Sequence, residues 1–512
     1  MTPLSSDSAT QPPGDLARFR VGTLQYTKIS LFVLFGWLLW GDFCFHLMEV
    51  VIRFVFIAKL KSLDAPNLVQ SVTVITIPAA MNFMVNPVIS FRSDRYRSRW
   101  GRRIPFLLWA TPFLTICLIL IGYSDQIGRY LHGPLSAWWS MSPSTAVIVT
   151  MGGLMVVLQF FNMFIASVYY YLFNDVVPPA FLGRFLALFR LVGFIAGWVF
   201  NYFLLGHSVA YMREIFVGVG LLYFVTFMFM CWRVKEGQYP PPPPNAGNRK
   251  GVLAAARTYC QECFTHPFYL SFFAYTAMWT TSLVYDPFHM HFAASIGMGL
   301  DRFGQVMAFL MIPQILLVYP AGMLADRFHP LRLLLWMACI LPVVNLLIFF
   351  LARDPTSYTV LLAMLVPAMA LSGAAAAPTL MLLLPKDRYG QFGSADAMGR
   401  SLCVIIGSVV AGGIMDLLKA SYQGSEAYNS YMYLWTFVFQ AIGLFFLFRV
   451  YRGWLRYGGR EHYVPPAVGP AARVTVNIPV APVLAVPALE PAGLVGHKGT
   501  ERPAVGVTAD VQ

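Results

Sequence analysis

Apolar residues along this 512-residue chain fall in long unbroken blocks. They show neither the alternation of a half-buried strand nor the single stripe of a surface helix. The blocks lie near 29–58, 68–90, 104–123, 145–173, 182–205 and 213–232, then near 267–292, 303–324, 331–352, 359–383, 398–418 and 430–451. A helix needs about 20 apolar residues to cross a bilayer, so the pattern predicts twelve transmembrane helices in two sets of six. Between the sets, Arg233 to Cys263 is polar and holds five consecutive prolines, Pro240 to Pro244, the signature of a stiff polyproline II spacer. The expected organisation is an N-terminal tail at 1–27, a six-helix half at 28–232, a Pro-rich linker at 233–264, a second half at 265–452 and a disordered tail at 453–512. An all-α polytopic membrane protein with two pseudo-symmetric halves is the predicted fold class.

Composition sharpens this reading. The AVILMFWYC set makes up 58% of the chain and charged residues only 12%, about half the charged fraction of a soluble domain. That excludes a water-soluble enzyme, and the same numbers exclude collagen, coiled coil and general disorder. The excess of 36 Lys+Arg over 23 Asp+Glu is read as basic cytoplasmic loops and not as a nucleic-acid surface. Arg92, Arg95, Arg97, Arg99, Arg102 and Arg103 lie between spans two and three, Lys235, Arg249, Lys250 and Arg257 in the central break, and Arg449, Arg452, Arg456 and Arg460 after the last span. The alternate stretch Tyr123–Ser144 holds only Arg129 as a basic residue of this kind. Both termini are therefore expected in the cytoplasm. Residues 1–27 are polar without a cleavable signal pattern, which leaves the first span as the insertion signal. Five of the cysteines (Cys44, Cys117, Cys231, Cys339, Cys403) stand alone in apolar blocks, which is no disulfide framework. Cys260-x-x-Cys263 with His266 would need a fourth ligand to hold zinc; a reduced thiol pair is the expectation, with no metal.

Internal repetition carries more information than any one span. Ser90-Phe-Arg-Ser-Asp94-Arg95-Tyr-Arg97 follows span two, and Gly322-Met-Leu-Ala-Asp326-Arg327 follows span eight. Asn174-Asp175-Val-Val-Pro178 with Gly183-Arg184 follows span four, and Lys386-Asp387-Arg388-Tyr-Gly390 follows span ten. Two similar halves around a midplane cavity are the build of a secondary transporter. Gly322 to Phe328 resembles the loop signature of the major facilitator superfamily. Asn86-Pro87-x5-Ser93-Asp94-Arg95-Tyr-Arg97-Ser-Arg99-Trp-Gly-Arg102-Arg103-x-Pro105 is similar to the helix II–III signature of the glycoside–pentoside–hexuronide cation symporters, and plant-type sucrose transporters carry a similar stretch. The resemblance implies an alternating-access sugar/cation symporter, working as a monomer. It also implies that Asp94, Arg95, Asp326 and Arg327 gate by latching the halves in the outward-open state, with Arg184 and Arg190 as partners. Most of the remaining arginines from Arg97 to Arg103 are read as topology charge alone. Sodium-coupled relatives carry carboxylates on helix II where this chain has Asn82 and Asn86, and an acid on helix IV where Gln159 and Asn162 are the nearest polar groups. Neutral amides weaken a hard-cation site, so the coupling ion is expected to be a proton, or none.

The first span holds the most informative side chains. Asp42, His46, Glu49 and Arg53, spaced 4, 3 and 4 apart, form one narrow stripe of a helix. Ionisable groups at membrane depth are costly and face a wet cavity or a partner. A plain Glu49–Arg53 pair with His46 merely packed is the competing reading. Asp42 is expected near mid-span and Arg53 near the outer interface. The resemblance assigns an Asp after Gly to sugar recognition, and Gly41-Asp42 fits. The expected substrate set is Asp42, Trp37, Asn82, Asn86, Asn162, Tyr169 and Trp279, combining amides and acids for hydroxyls with aromatic faces for the ring; Trp40, Tyr170 and Tyr285 are further aromatic candidates. Proton-coupling candidates are Asp42, His46, Glu49, Asp286 and His289, the last two with the alternative of idling at the outer mouth beside His291. The chain has no H-E-x-x-H, G-x-S-x-G, P-loop or dinucleotide fingerprint, so neither an enzyme nor a chemical cofactor is expected. The resulting expectation is proton symport of a sugar of the glycoside or disaccharide class across a plasma membrane, best a bacterial inner membrane, with the sugar and the lipid bilayer as partners. A uniporter or exporter of another small polar solute, and a non-transporting membrane sensor, are the alternatives.

Overall fold

The computed structural model describes residues 19–136, 140–238, 259–385, 388–423 and 425–466; at positions 87, 90, 91, 94, 135, 318 and 326 only the backbone is described. The proline run of the linker and the chain from 467 onward lie outside these residues. A short hairpin, β1 (Arg20–Val21) with β2 (Leu24–Gln25), precedes an almost entirely helical chain. The first half comprises α1 (Lys28–Ser62), α2 (Asn67–Ser71), α3 (Ile77–Met84), α4 (Asn86–Arg95), α5 (Ile104–Gly122), α6 (Ser124–Ser136), α7 (Pro143–Val176), α8 (Pro179–Val199) and α9 (Met212–Arg233). The second comprises α10 (Pro267–Ser282), α11 (His289–Ser295), α12 (Leu300–Phe328), α13 (Pro330–Leu351), α14 (Pro355–Leu383), α15 (Tyr389–Ser421) and α16 (Tyr431–Arg456), followed by the single turn α17 (Gly459–His462).

Nine described helices are long and apolar enough to cross a membrane. Three further helical runs, 28–62, 67–95 and 267–295, stand where the remaining spans are expected. The first carries the ionisable stripe. The second is interrupted by a π turn at Val72–Thr76 and again at Val85, two residues before Pro87, which has no backbone N–H to continue the helical hydrogen bonds. The third passes through a 3-10 turn, Leu283–Phe288, that contains Pro287.

Local chemistry explains the helix ends. Thr27 and Ser30 form a reciprocal capping box at the start of α1. Asp354 does the same for α14 with Ser357, ahead of Pro355 at the first helical position. Hydrogen bonds from the Ser357 hydroxyl, then from the Ser357 and Thr356 N–H groups, hold the Asp354 carboxyl below its ordinary value. Helix α6 is amphipathic and was not legible as a span; Gly128 lets it lie against α7, since a methyl group there would stand 2.6 Å from the Val147 Cα. Of the expected C-terminal tail, the part up to residue 466 is held to the bundle, the Tyr463 hydroxyl donating to Leu383 O at 2.9 Å and the Tyr269 hydroxyl to Pro466 O at 3.0 Å.

The two ends of the bundle are fastened differently. At the end where α1 begins, each half carries fastenings of its own. In the second half, Arg388 and Glu262 lie 3.6 Å apart. In the first, Asp175 accepts from Arg102 and, at 3.1 Å, from Arg103. Glu236 accepts from the backbone N–H groups of Arg102, Arg103 and Ile104 at 2.9, 2.8 and 2.7 Å, capping the N-terminus of α5. Arg102 and Arg103 thus make structural contacts beyond any part they have in topology. Where α1 ends, fastening crosses between the halves. The Asp416 carboxylate of α15 accepts from Asn67 N (2.7 Å), Asn67 Nδ2 (3.0 Å) and Leu68 N (2.9 Å), capping α2, which has no side-chain cap of its own. Lys61 pairs with Glu426 at 2.8 Å, and Thr76 and Ser408 hydroxyls meet at 2.7 Å. Gly412 permits this approach, because a methyl group on it would stand 2.7 Å from the Leu68 Cα.

Candidate functional site

A cavity of about 570 Å³ opens between the halves, within the range of ligand pockets. Glu49 and Arg53 reach it from α1, Asn82 from α3, Asn86 from α4, Gln159, Asn162, Tyr170 and Tyr171 from α7, Thr280 from α10, and Arg400 and Ser401 from α15. The first half supplies an amide array. Asn162 Nδ2 donates to Glu49 Oε1 at 2.8 Å and lies 3.3 Å from Gln159 Oε1, while Asn86 Nδ2 donates to Asn82 Oδ1 at 3.0 Å. The Asn162 Oδ1 atom is buried without a hydrogen-bond partner among the described residues. Such a set can both donate to and accept from the hydroxyls of a polar solute.

The stripe on α1 divides. Glu49 and Arg53 line the cavity, and Glu49 bonds Asn162, not Arg53, so the simple i, i+4 pair is not what forms. Arg53 is exposed and lines the cavity. Two turns back, about 10 Å along the axis, Asp42 is fully buried and does not line the described cavities. Its Oδ1 lies 2.9 Å from His46 Nδ1, while Oδ2 has no hydrogen-bond partner among the described residues. Beside this pair stands α8: Phe189 meets the His46 ring edge-on at 5.4 Å, and Gly193 sits against the same imidazole, which stays partly exposed.

Other expected residues divide in the same way. Asn82, Asn86 and Asn162 line the central cavity. Tyr169 is buried, its hydroxyl donating to Leu38 O at 2.5 Å, and Trp37 is half-buried against the core, so neither reaches it. Asp286 is half-exposed on the 3-10 turn, 3.9 Å from His289, whose ring stacks on Tyr433 at 4.8 Å; both stand away from the central cavity. Of the gating residues, the side chains of Asp94 and Asp326 lie outside the described residues. Arg95 is half-buried, Arg184 is exposed with its guanidinium 6.0 Å above the Phe181 ring, and Arg327 is exposed with its guanidinium 5.6 Å above Phe328. Arg190 lines a second chamber.

That chamber, about 320 Å³, adjoins the first; Thr280 and Arg400 line both. Trp279, an expected substrate residue, is on its wall. Arg400 Nε lies 2.9 Å from Asp396 Oδ2, and Asp396 also accepts from the Thr276 hydroxyl. Asp396 and Arg400 are functional candidates that the sequence reading passed over. Their signal is an acid and a base four apart, straddling the expected start of the apolar block at 398. The helix start was placed at 398, whereas α15 begins at Tyr389 and carries both residues inside the bundle.

Residues 38–408 match the family model of the Major Facilitator Superfamily. A stretch of 61 residues is 41% identical to the sucrose transport protein SUT5 of Oryza sativa subsp. indica, spanning 12% of this chain and 11% of that relative. Among solved structures, the D-xylose-proton symporter superposes with a TM-score of 0.60 at 11% identity, covering 82% of this chain and 97% of the other. A bacterial homologue of the human lysosomal transporter Spinster, inward-facing and unoccupied, gives 0.59 at 14% identity over 86% of this chain and all of the other. A point mutant of the nucleoside transporter NupG gives 0.58 at 13%, over 82% of this chain and 100% of the other. At such identities the structural likeness speaks for the fold alone. The family match covers most of the chain, and with the two helical halves around a polar cavity it has one reading: the protein is a membrane transporter of the major facilitator superfamily.

Proposed function

We propose that this transporter moves a sugar of the glycoside or disaccharide class by alternating access, coupled to a proton. The observation that carries the reading is the cavity lining, where four amides and the Glu49 carboxylate converge from α1, α3, α4 and α7. Amides and carboxylates suit vicinal hydroxyls better than they suit an apolar solute. The short match to a plant sucrose transport protein and the fold shared with a xylose–proton symporter support the same class. Neutral Asn82 and Asn86 leave helix II without the carboxylates of a sodium site. The proton site in this reading is the Asp42–His46 pair, behind the substrate cavity and joined to it along α1 through Glu49. The arginines at the end where α1 begins favour that end as cytoplasmic, in a plasma membrane, with the carrier acting as a monomer.

The test is sugar-elicited proton movement in de-energised vesicles, using single-ring and two-ring sugars in turn. External alkalinisation with one class supports the reading. Glu49→Gln should raise the half-saturating sugar concentration about tenfold or more, the loss of a charge-assisted hydrogen bond. Asp42→Asn should keep sugar exchange and lose the pH change. Flat pH traces together with absent counterflow across the panel would remove the sugar reading; exchange without pH change would remove the proton.

A further inference from the structure

We propose that the second chamber is a subsite for the distal ring of a two-ring glycoside, with Arg400 and Asp396 reading its hydroxyls. The inference rests on the sugar reading above and names the shape of the substrate. The chamber has the build of a ring slot. Its lining combines Tyr275 and Trp279 of α10 with Gly373 and Ala376 of α14, which add little bulk of their own. A sugar ring presents an apolar face to an aromatic wall and a rim of hydroxyls to polar groups.

The polar groups stand at the junction of the chambers. Asp396 is 2% exposed and held by Thr276 and Arg400. Arg400 is 38% exposed, and its Nε, although close to Asp396, makes no aligned hydrogen bond. The Nε atom is itself buried, and the ion pair neutralises the guanidinium charge. A carboxylate fixed beside a guanidinium with donors in hand offers an acceptor and donors to adjacent hydroxyls. Because Arg400 also lines the central cavity, one side chain can contact both rings at their linkage. Arg190 reaches the slot from α8 of the other half, so an occupied slot is touched by both halves.

Gly373 supplies the experiment. A Cβ built there meets nothing within 4 Å, so a side chain at this position starts into open space, and Gly373→Leu puts bulk on the wall of the slot. Counterflow is measured with the full chain in proteoliposomes, using a labelled single-ring sugar and labelled two-ring glycosides containing it. In the variant, half-saturation for the two-ring compounds should rise about tenfold while the single-ring sugar stays within about twofold; Ala376→Leu, on the same wall, should show the same split. Equal shifts for both classes in both variants, or no shift for the two-ring compounds in Gly373→Leu, would overturn the subsite and leave the sugar reading standing. A wild-type protein that exchanges neither class would overturn both together.

Discussion

Asp416 offers a measurable test of how the two halves are held. Its carboxylate takes three hydrogen bonds from the first turn of α2, two from backbone N–H groups and one from the Asn67 amide. Those N–H groups are the unsatisfied positive end of a helix, and no side chain of the first half serves them. Replacing a helix cap by alanine costs ~0.5–2 kcal/mol, and a hydrogen bond to a charged group contributes ~1.5–3 kcal/mol. The three bonds share one carboxylate and do not add in full, so Asp416→Ala should cost the closed arrangement about 2–3 kcal/mol. At 1.36 kcal/mol per tenfold, the open population rises about 30- to 150-fold. The readout is the labelling rate of Ser71→Cys, one turn beyond Asn67 and 1% exposed, by a membrane-impermeant thiol reagent, with the seven native cysteines replaced. Asp416→Asn keeps one neutral acceptor and should give a smaller rise. A labelling rate in Asp416→Ala within about twofold of the parent would refute the reasoning, since Lys61–Glu426 and Thr76–Ser408 would then suffice to hold that end shut.

Glu236→Ala should uncap α5 at a cost of about 1–2 kcal/mol, speeding tryptic cleavage at Arg102 and Arg103 about 5- to 30-fold by the same conversion, with Glu236→Gln in between. Asp354, held below its ordinary 3.8 by Ser357 and Thr356, binds its proton more readily in the unfolded chain. Its contribution to stability is therefore full above the unfolded value and fades as pH falls through the folded one. Acid unfolding followed from pH 5 downward should lose part of its steepness in Asp354→Asn.

Much of the fold was legible because burying backbone in a bilayer leaves few solutions. Apolar blocks of span length must be helices, and the observed runs follow the predicted ones from α1 to α16. The amphipathic α6 escaped because its apolar face is only one side of a short helix. Asn82, Asn86, Asn162 and Glu49, singled out from the sequence as candidates, line the cavity, because a polar group inside an apolar block has few other places to go. Asp396 and Arg400 escaped for another reason: with a helix expected to start near 398, Asp396 falls in the loop before it and Arg400 in its first turn, so nothing marks them as an interior pair.

Sequence by itself determined the helical periods, the two-half repeat, the charge bias between loops and the stripe Asp42–His46–Glu49–Arg53, because each depends only on residues near one another along the chain. Tertiary structure alone decided which part of that stripe meets the cavity. Helical spacing puts the four residues on one face, but α8, nearly 150 positions later, sets Phe189 and Gly193 against His46, while Glu49 and Arg53 line the cavity. It likewise decided that a carboxylate near the end of α15 caps a helix that begins 349 positions earlier. Contacts of that separation depend on how the halves pack, and no local pattern encodes them.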